Sequence, residues 1–274
     1  MAMLIYFSDF RYCFSLERSL SCRNMTVGIY GLGRFGSFWA GILAKKFTVY
    51  GYNRTPKKDF PPRVTPATEE KILSCDTVIF CTSISSFEEI LARVGKEIKP
   101  GTLVMDTCSV KCYPLTVMER FLPKTVSILA THPMFGPDSA ASGVSGLPIV
   151  FWPHRAEKQE VSLWEEYFQS LGLRVIKKDP KEHDREAAYT QGITHFLGRV
   201  LKDLNLKPSA ISTLGYSKLM EIIQQTCNDP YQLFLDLQRY NPYTARMRGD
   251  LAASFEKILE AITDGVLDTP GSGN

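Results

Sequence analysis

The chain has 274 residues, enough for one large domain or two of ordinary size. Its composition, with 44% hydrophobic, 22% charged and 11% aromatic residues, is typical of a globular protein and excludes the disordered and fibrous classes. The net charge of +3 does not indicate nucleic-acid binding, and no apolar run reaches the roughly 18 residues of a membrane-spanning helix. We therefore expect neither nucleic acid nor a membrane as a partner, whereas the small charge leaves anionic small molecules open.

Residues 1–24 contain aromatic, basic and serine residues but no continuous apolar segment. Asp9 and Glu17 argue against a transit peptide, which is usually poor in acidic residues. We interpret the segment as a loose leader or an incorrectly assigned start, with Met25 as the true first residue. A plastid-targeting peptide is the alternative interpretation.

The seven cysteines are odd in number and none forms a C-x-x-C pair. This pattern supports neither a disulfide framework nor a zinc site, so we predict no metal. A reducing cytoplasm is the simplest location for a chain with free cysteines.

Residues 25–181 alternate short β-branched runs with helical stretches. The runs lack polar alternation, as expected for strands that helices cover on both faces. They comprise residues 26–30, 47–52, 77–81, 103–106 and 127–131, followed by 147–151 and 173–176. This order predicts an α/β fold with a doubly wound parallel sheet, that is, a dinucleotide-binding Rossmann domain.

Residues 182–268 contain helical patterns only and predict a smaller all-helical domain for substrate binding and dimerisation. Helices are expected from 184 to 204, from 209 to 227 and from 229 to about 266. Asp229 and Pro230 resemble an N-cap followed by proline at the first helical position. Pro242 predicts a break in the last helix, and residues 269–274 are expected to form a loose tail.

A glycine-rich turn follows the first predicted strand and leads into a helix expected at 37–45. Its glycines allow a tight turn, a close approach of a pyrophosphate and close helix–strand packing. Free N–H groups at the start of the helix then face the anion. The turn predicts a bound dinucleotide, contacted by Gly31, Leu32, Gly33, Arg34, Phe35 and Gly36.

The end of the second strand predicts which dinucleotide binds. NAD-preferring sites place a carboxylate there for the ribose hydroxyls, whereas this chain has Asn53, Arg54 and Thr55. A guanidinium can pair with the 2′-phosphate of NADP, and the two neighbouring side chains can donate hydrogen bonds. We therefore predict NADP as the cofactor. Thr82 and Ser83, at the end of the next full strand, are expected beside it.

Two further strand ends carry candidate catalytic groups. Ser109 follows the strand at 103–106, and His132 follows the strand at 127–131. If these strands are parallel neighbours, both side chains project over the same edge of the sheet. A histidine there can accept a proton from a hydroxyl group whose carbon loses hydride, and the serine can orient either partner.

These motifs resemble the prephenate/arogenate dehydrogenase family of tyrosine biosynthesis, particularly its plant-type branch. The resemblance extends from Met25 to about Ile262 and is carried by the glycine turn, Asp106-x-x-Ser109-x-Lys111, the residues 131–137 around His132, and the segments 183–188, 191–195 and 198–201. It implies oxidative decarboxylation of prephenate or arogenate, with hydride leaving ring C4. By resemblance, His132 takes the C4-hydroxyl proton and Ser109 hydrogen-bonds at the same centre.

A substrate pocket follows partly from the resemblance and partly from the charged residues, and a dimer follows from the small helical domain, which needs a second copy to bury its apolar face. We expect the pocket to include Lys111, Asp138, Gln191, Thr194, His195 and Arg239, with Arg246 and Arg248 as alternatives to the last. We expect a homodimer formed through the helical domain. His154 and His183 lack comparable context, so His154 is interpreted as structural or exposed, and His183 with Asp184 as the beginning of a helix.

The identity of the substrate stays open at this point. In the plant-type branch, an acidic residue after the His-Pro motif is associated with arogenate, but residues 150–154 contain none, which favours prephenate slightly. One alternative function is an imine or β-hydroxyacid oxidoreductase, for which Lys218 is a candidate catalytic lysine. Another is an NADPH-sensing module without catalysis, which the Ser109/His132 pair argues against.

Overall fold

The computed structural model describes residues 25–264, so the predicted leader at 1–24 and tail at 269–274 lie outside the described residues. The chain divides into two compact units, with the boundary between Pro180 and Lys181.

The first unit contains an eight-stranded sheet in the order β3-β2-β1-β4-β5-β6-β7-β8. The strands are β1 Thr26–Tyr30, β2 Thr48–Tyr52, β3 Val64–Pro66, β4 Thr77–Phe80, β5 Leu103–Asp106, β6 Ser127–Pro133, β7 Pro148–Arg155 and β8 Arg174–Lys177. Strand order reverses between β1 and β4, which creates the crevice where open parallel sheets bind ligands. The predicted fold class is confirmed.

The strand β7 differs from the prediction of an entirely parallel sheet. It pairs with β6 in the antiparallel direction, whereas all other neighbouring pairs among the described strands are parallel. A parallel return requires a crossover, usually a helix, and residues 134–147 between β6 and β7 form none. Short β3, which ends at Pro66, was not predicted because three residues carry too little pattern.

Helices cover both faces of the sheet. They are α1 Arg34–Leu43, α2 Glu69–Leu73, α3 Ile84–Val94, α4 Cys112–Phe121 and α5 Lys158–Ser170, with a short 3-10 turn at Gly95–Glu97. One apolar core packs β-strand residues against Trp39 and Trp164, and the other packs them against Phe87 and Met118. The sheet interior is therefore buried on both sides, which explains its continuous apolar strands.

The second unit is helical. Its elements are α6 Pro180–Ala187, a π-helical turn Ala188–Gly192, α7 Ile193–Asp203, α8 Leu214–Cys227, α9 Tyr231–Tyr240 and α10 Thr244–Asp264. Gly198 allows α7 to approach α8, because a Cβ atom there would lie 2.0 Å from Thr226 Oγ1. None of the helices within 25–264 is long and apolar enough to cross a bilayer.

Two local predictions in this unit have different outcomes. The break near Pro242 is confirmed, since one helix ends at Tyr240 and the next begins at Thr244. The predicted N-cap at Asp229 is wrong by one residue, because Pro230 occupies the cap and the helix begins at Tyr231. Pro230 has an extended ψ of 139°, which is not helical. Its fixed φ is therefore used at the N-cap position and not in the first turn of the helix.

Candidate functional site

The glycine-rich turn lies between β1 and α1, and two of its glycines are required by the protein itself. Gly31 has φ +101°, and a Cβ atom there would lie 2.7 Å from the carbonyl oxygen of Cys81. A Cβ atom at Gly36 would lie 1.9 Å from the Gly31 carbonyl oxygen. Side chains at either position would therefore push the turn away from β4 or from α1.

The middle glycine has no such explanation within the chain. Gly33 is the N-cap of α1, with φ −65° and ψ −165°, a conformation open to any residue. A Cβ atom there would meet no protein atom within 4 Å. The space above the first turn of α1 is thus open at the point where its free N–H groups favour an anion.

An unsatisfied donor lies at the end of the neighbouring strand. Thr82 follows β4, and its Oγ1 atom is buried without a hydrogen-bond partner in the protein. Buried hydroxyl groups normally have a partner, so Thr82 is available to a ligand. Its neighbour Ser83 is exposed and donates to Ser86 Oγ over 2.7 Å. The open turn and this hydroxyl group fit a dinucleotide at the crevice between β1 and β4.

The residues at the end of β2 are partly engaged within the chain. Asn53 accepts a hydrogen bond from Leu32 N over 3.0 Å and donates from Nδ2 to Thr55 O over 2.7 Å. Arg54 and Thr55 are exposed. The loop after β2 therefore lies next to the glycine-rich turn, as predicted. Asn53 already makes hydrogen bonds within the protein that fix this turn, so contact with a ligand would be an additional role.

Lys57 is a cation of this region that the sequence analysis missed. Its Nζ atom donates to Leu32 O over 2.7 Å and to Ser37 Oγ over 3.0 Å, so the ammonium lies against the first turn of α1. Its position four residues after Asn53 was the available signal. Together with Arg54, it adds positive charge beside the glycine-rich turn.

Ser109 and His132 lie at the ends of neighbouring strands. β5 and β6 pair in parallel, with Asp106 opposite Ala130, as the predicted arrangement requires. Ser109 is 8% exposed and His132 only 2% exposed. Both residues therefore belong to the edge of the sheet that also carries the glycine-rich turn.

His132 is part of a strand, whereas the sequence analysis expected it after one. β6 continues three residues beyond its parallel partner, and His132 pairs with Val150 of antiparallel β7. Met134 extends this pairing, donating from its N–H to Pro148 O over 3.0 Å. The antiparallel β7 thus holds the histidine backbone in a ladder.

The loop that follows His132 is attached to α1 at two points. The ring of Phe135 packs edge-on against Trp39, with centroids 6.1 Å apart. Asp138 forms an ion pair with Arg34 of the glycine-rich turn. These contacts connect the predicted catalytic loop to the predicted cofactor turn.

Lys111, predicted to contact substrate, has its side chain completely buried. It pairs with the buried carboxylate of Asp106 and donates to Thr131 O over 2.5 Å. Asp106 also accepts from the backbone N–H groups of Cys108, over 3.1 Å, and Thr131, over 3.2 Å. Asp106 was not among the residues predicted to act at the site, although an acidic residue at the end of an apolar strand is a signal for such a role.

Three predicted substrate residues of the second unit lie on the π-helical turn and at the start of α7. Gln191 Oε1 and His195 Nδ1 are buried without hydrogen-bond partners in the protein, and Thr194 donates to Thr190 O over 2.8 Å. Burial lowers the pKa of His195 to about 4, and the guanidinium of Arg199 adds to this effect. The imidazole is therefore neutral near pH 7. π-Helical turns interrupt α-helices frequently at functional sites.

The three candidate arginines of this unit have different environments. Arg239 and Arg246 are exposed, whereas Arg248 is partly buried and donates to Gln238 Oε1 over 2.8 Å. Gln238 in turn donates to Gly192 O over 2.8 Å, so Arg248 is connected to the π-helical turn. Arg239, the arginine favoured from the sequence, thus lacks this connection, and Gln238 has a role that its sequence context does not indicate.

The remaining candidates have partners at the surface or in the core. Lys218 is exposed and pairs with Glu221, and His154 contacts Glu119 Oε1 over 2.8 Å. His183 is buried, and its Nδ1 atom lies 2.7 Å from Asp184 Oδ1. No group of histidine, cysteine, aspartate or glutamate residues within 25–264 is arranged to hold a metal ion.

Two family models match the chain. The nucleotide-binding domain of prephenate dehydrogenase matches residues 48–177, and the TYRAAT1-like C-terminal domain matches residues 200–269. The first match covers most of the sheet, and the second covers most of the helical unit.

Curated relatives extend this likeness over most of the chain. "Arogenate dehydrogenase 2, chloroplastic" of Arabidopsis thaliana is 36% identical over 250 residues, which are 87% of this chain and 70% of the relative. "Arogenate dehydrogenase 1, chloroplastic" of the same plant is 32% identical over 247 residues, 86% of this chain but only 39% of the relative. The chain thus spans between about two fifths and seven tenths of these proteins.

A solved structure shares the fold. The crystal structure of prephenate dehydrogenase from A. aeolicus, in complex with hydroxyphenyl propionate and NAD+, superposes with a TM-score of 0.69 at 19% identity, covering 89% of this chain and 92% of that one. At this identity the likeness supports the architecture alone. The 36% identity to arogenate dehydrogenase 2 over 87% of this chain and 70% of that protein shows that the chain belongs to the prephenate/arogenate dehydrogenase family.

Proposed function

We propose that the protein catalyses the NADP-dependent oxidative decarboxylation of prephenate or arogenate in tyrosine biosynthesis. The observation that carries the proposal is the pair Ser109 and His132, buried at the ends of two parallel strands on the edge that also bears the open glycine-rich turn. A nicotinamide bound at this edge supplies the acceptor for the hydride from ring C4.

His132 is the proposed proton acceptor. A neutral imidazole takes the proton of the C4 hydroxyl group as the carbon–hydrogen bond breaks, which converts the alcohol carbon to a carbonyl. Ser109 donates a hydrogen bond at the same oxygen or to the imidazole and so fixes their relative orientation. The ring carboxylate then leaves as carbon dioxide, and aromatisation supplies much of the driving force. The burial of both side chains excludes water from the proton transfer.

NADP preference is supported by the charges at the end of β2. No carboxylate occupies the position of Asn53, and the exposed Arg54 is available to a 2′-phosphate. The ammonium of Lys57 lies against the adjoining turn and increases the attraction for phosphate groups. We propose that Thr55, Thr82 and Ser83 complete the cofactor contacts.

Substrate recognition is proposed for the remaining residues of the resemblance. Gln191, His195 and Arg239 offer donors to the two substrate carboxylates, and Asp138 offers a carboxylate to an ammonium group. The Thr194 hydroxyl group donates to Thr190 O, so we propose it as an acceptor for a donor of the substrate. Residues 150–154 of β7 contain no acidic side chain, which favours prephenate over the ammonium-bearing arogenate. Lys111 is omitted from this set because its side chain is buried against Asp106.

Steady-state assays with each substrate and each cofactor test the proposal. Prephenate and arogenate are each combined with NADP and NAD, and both reduced cofactor and released carbon dioxide are measured. We expect equal amounts of the two products, higher kcat/KM with NADP, and higher kcat/KM with prephenate. Absence of turnover with both substrates refutes the function, and equal or better kcat/KM with NAD refutes the cofactor preference.

A pair of variants distinguishes the effect of Arg54 on cofactor binding from the effect of removing any exposed positive charge. Arg54→Ala should raise KM for NADP about tenfold or more and leave KM for NAD unchanged, because NAD has no 2′-phosphate. Arg120→Ala on α4 is the matched control, since it also removes a largely exposed guanidinium, there paired with Glu88.

We also propose that the protein works as a homodimer in the cytoplasm. Four apolar residues are more than half exposed on one face of α10, namely Phe255, Ile258, Leu259 and Ile262. Their i, i+3, i+4, i+7 spacing is that of a helix face that packs against another surface. Light scattering at micromolar concentration should give twice the chain mass, and Leu259→Glu should reduce it to that of one chain.

The cytoplasmic location is supported by the cysteines. Those at 75, 81, 108, 112 and 227 are free, which suits a reducing compartment.

A further inference from the structure

We propose that Asp106 and Lys111 are positioning residues that fix the main chain next to both catalytic side chains. The inference rests on the proposed roles of Ser109 and His132. It assigns Lys111 a role through the backbone, in place of the substrate contact that its sequence motif implied.

The contacts of the pair reach both strand ends. The Asp106 carboxylate accepts from the N–H of Cys108, the residue before Ser109, and from the N–H of Thr131, the residue before His132. Lys111 donates to the carbonyl oxygen of Thr131 over 2.5 Å. The pair therefore holds the peptide groups on either side of Thr131.

The Thr131 carbonyl belongs to the peptide bond that enters His132. Its orientation determines the direction in which the histidine Cα–Cβ bond leaves the strand. The pairing between β5 and β6 ends at Asp106 and Ala130. From Thr131 onward, the edge of β6 that faces β5 therefore has no backbone partner in the sheet. The carboxylate and ammonium groups take over on this side, while β7 supplies the ladder on the other.

Stability alone does not account for the pair. Both side chains are completely buried, and a buried ion pair seldom stabilises a fold more than apolar residues of the same size. A buried ion pair of this kind is better explained by conformational specificity, that is, by its selection of one arrangement of the chain over others. Here the arrangement is that of two catalytic strand ends, and displacement of a catalytic group by about 1 Å can reduce turnover about 10²-fold.

The test replaces the pair with neutral side chains in the double variant Asp106→Asn/Lys111→Met. We expect cooperative thermal unfolding, a Kd for NADPH within about threefold of wild type, and a kcat about 10²-fold lower with a smaller change in KM. Amide hydrogen exchange at Cys108 and Thr131 should accelerate relative to the residues of β5 and the rest of β6.

Thr102→Val provides the matched control. Thr102 directly precedes β5 at its opposite end and is equally buried, and its hydroxyl group donates to Cys75 O over 2.9 Å. Removal of this hydrogen bond should lower stability but leave kcat per folded molecule unchanged. A purely structural role for the ion pair predicts the same behaviour for both variants.

The outcomes separate the proposals. A folded double variant with wild-type kcat and unchanged amide exchange overturns the positioning role. If it does not fold, Lys111→Met alone decides, because it retains the carboxylate acceptors and removes only the ammonium, and should lower kcat about tenfold. Unfolding of that variant too would mark the pair as structural and overturn the inference. If wild-type enzyme oxidises neither substrate, the proposed function fails, and amide exchange alone decides whether the pair orders the strand ends.

Discussion

The backbone N–H of Leu32 donates a hydrogen bond to Asn53 Oδ1 over 3.0 Å, which ties the glycine-rich turn to the end of β2. In a site built for NAD, a carboxylate at this strand end accepts hydrogen bonds from the ribose. In this chain the neutral amide occupies that position and holds the turn. The charge of residue 53 can therefore be changed without loss of the Leu32 contact.

Asn53→Asp should reverse the cofactor preference. The aspartate still accepts from Leu32 N but loses the donation to Thr55 O. Its charge repels a 2′-phosphate a few ångströms away, an effect worth about 1–4 kcal/mol at 4 Å between water and a protein surface. We expect kcat/KM for NADP to fall about tenfold or more and kcat/KM for NAD to rise. Asn205→Asp in the helical unit is the matched control. An unchanged ratio of the two efficiencies would contradict the proposed position of the 2′-phosphate.

Alanine at two positions of the glycine-rich turn should have opposite consequences. Gly33→Ala should fold with little change in melting temperature, since no protein atom lies within 4 Å of the new Cβ atom. It should weaken NADPH binding about tenfold or more, because the methyl group occupies the anion site. Gly36→Ala should instead destabilise the fold, because its Cβ atom would lie 1.9 Å from Gly31 O. Calorimetry and fluorescence titration measure the two effects, and wild-type affinity of Gly33→Ala would argue against a dinucleotide at the turn.

His132→Asn should abolish most turnover without loss of cofactor binding. Asparagine retains hydrogen-bonding atoms but cannot accept the hydroxyl proton, so kcat should fall at least about 10²-fold. His154→Asn serves as the control, since that histidine contacts Glu119 at the protein surface. Stopped-flow measurement of a single turnover reports the chemical step directly. A rate near that of wild type would remove His132 from the mechanism.

His195 should make stability depend on pH in the mildly acidic range. Its pKa is lowered to about 4 in the folded chain, mainly by burial, so the unfolded chain binds the proton more readily. Above the pKa of His195 in the unfolded chain, about 6.5, the group does not reduce the free energy of unfolding. As pH falls from about 6.5 towards 4, it reduces the free energy of unfolding progressively. Between pH 7 and 5, wild type should lose about 2 kcal/mol more free energy of unfolding than His195→Gln. Denaturant titrations at each pH measure the difference, and parallel curves would show that the imidazole is not desolvated.

Much of the first unit could be predicted because local pattern and chain order were sufficient. Apolar β-branched runs and a glycine turn between strand and helix specify a Rossmann sheet, since strands covered on both faces tolerate few polar residues. The break at Pro242 followed from the missing N–H of proline. Ser109 and His132 could be proposed as catalytic residues because they lie at or shortly after the ends of such strands.

The partners of buried polar groups required the tertiary structure. Lysine side chains are usually exposed, so the sequence gives no reason to expect Lys111 in the core. Only the pairing of β5 with β6 brings its ammonium group to Thr131 O and the carboxylate of Asp106. Lys57 lies on a loop and reaches α1 only because β2 pairs beside β1. The reversed direction of β7 and the burial of His195 likewise depend on contacts between residues distant in sequence. Periodicity and turn chemistry act over a few residues, whereas burial and charge pairing depend on which elements pack together.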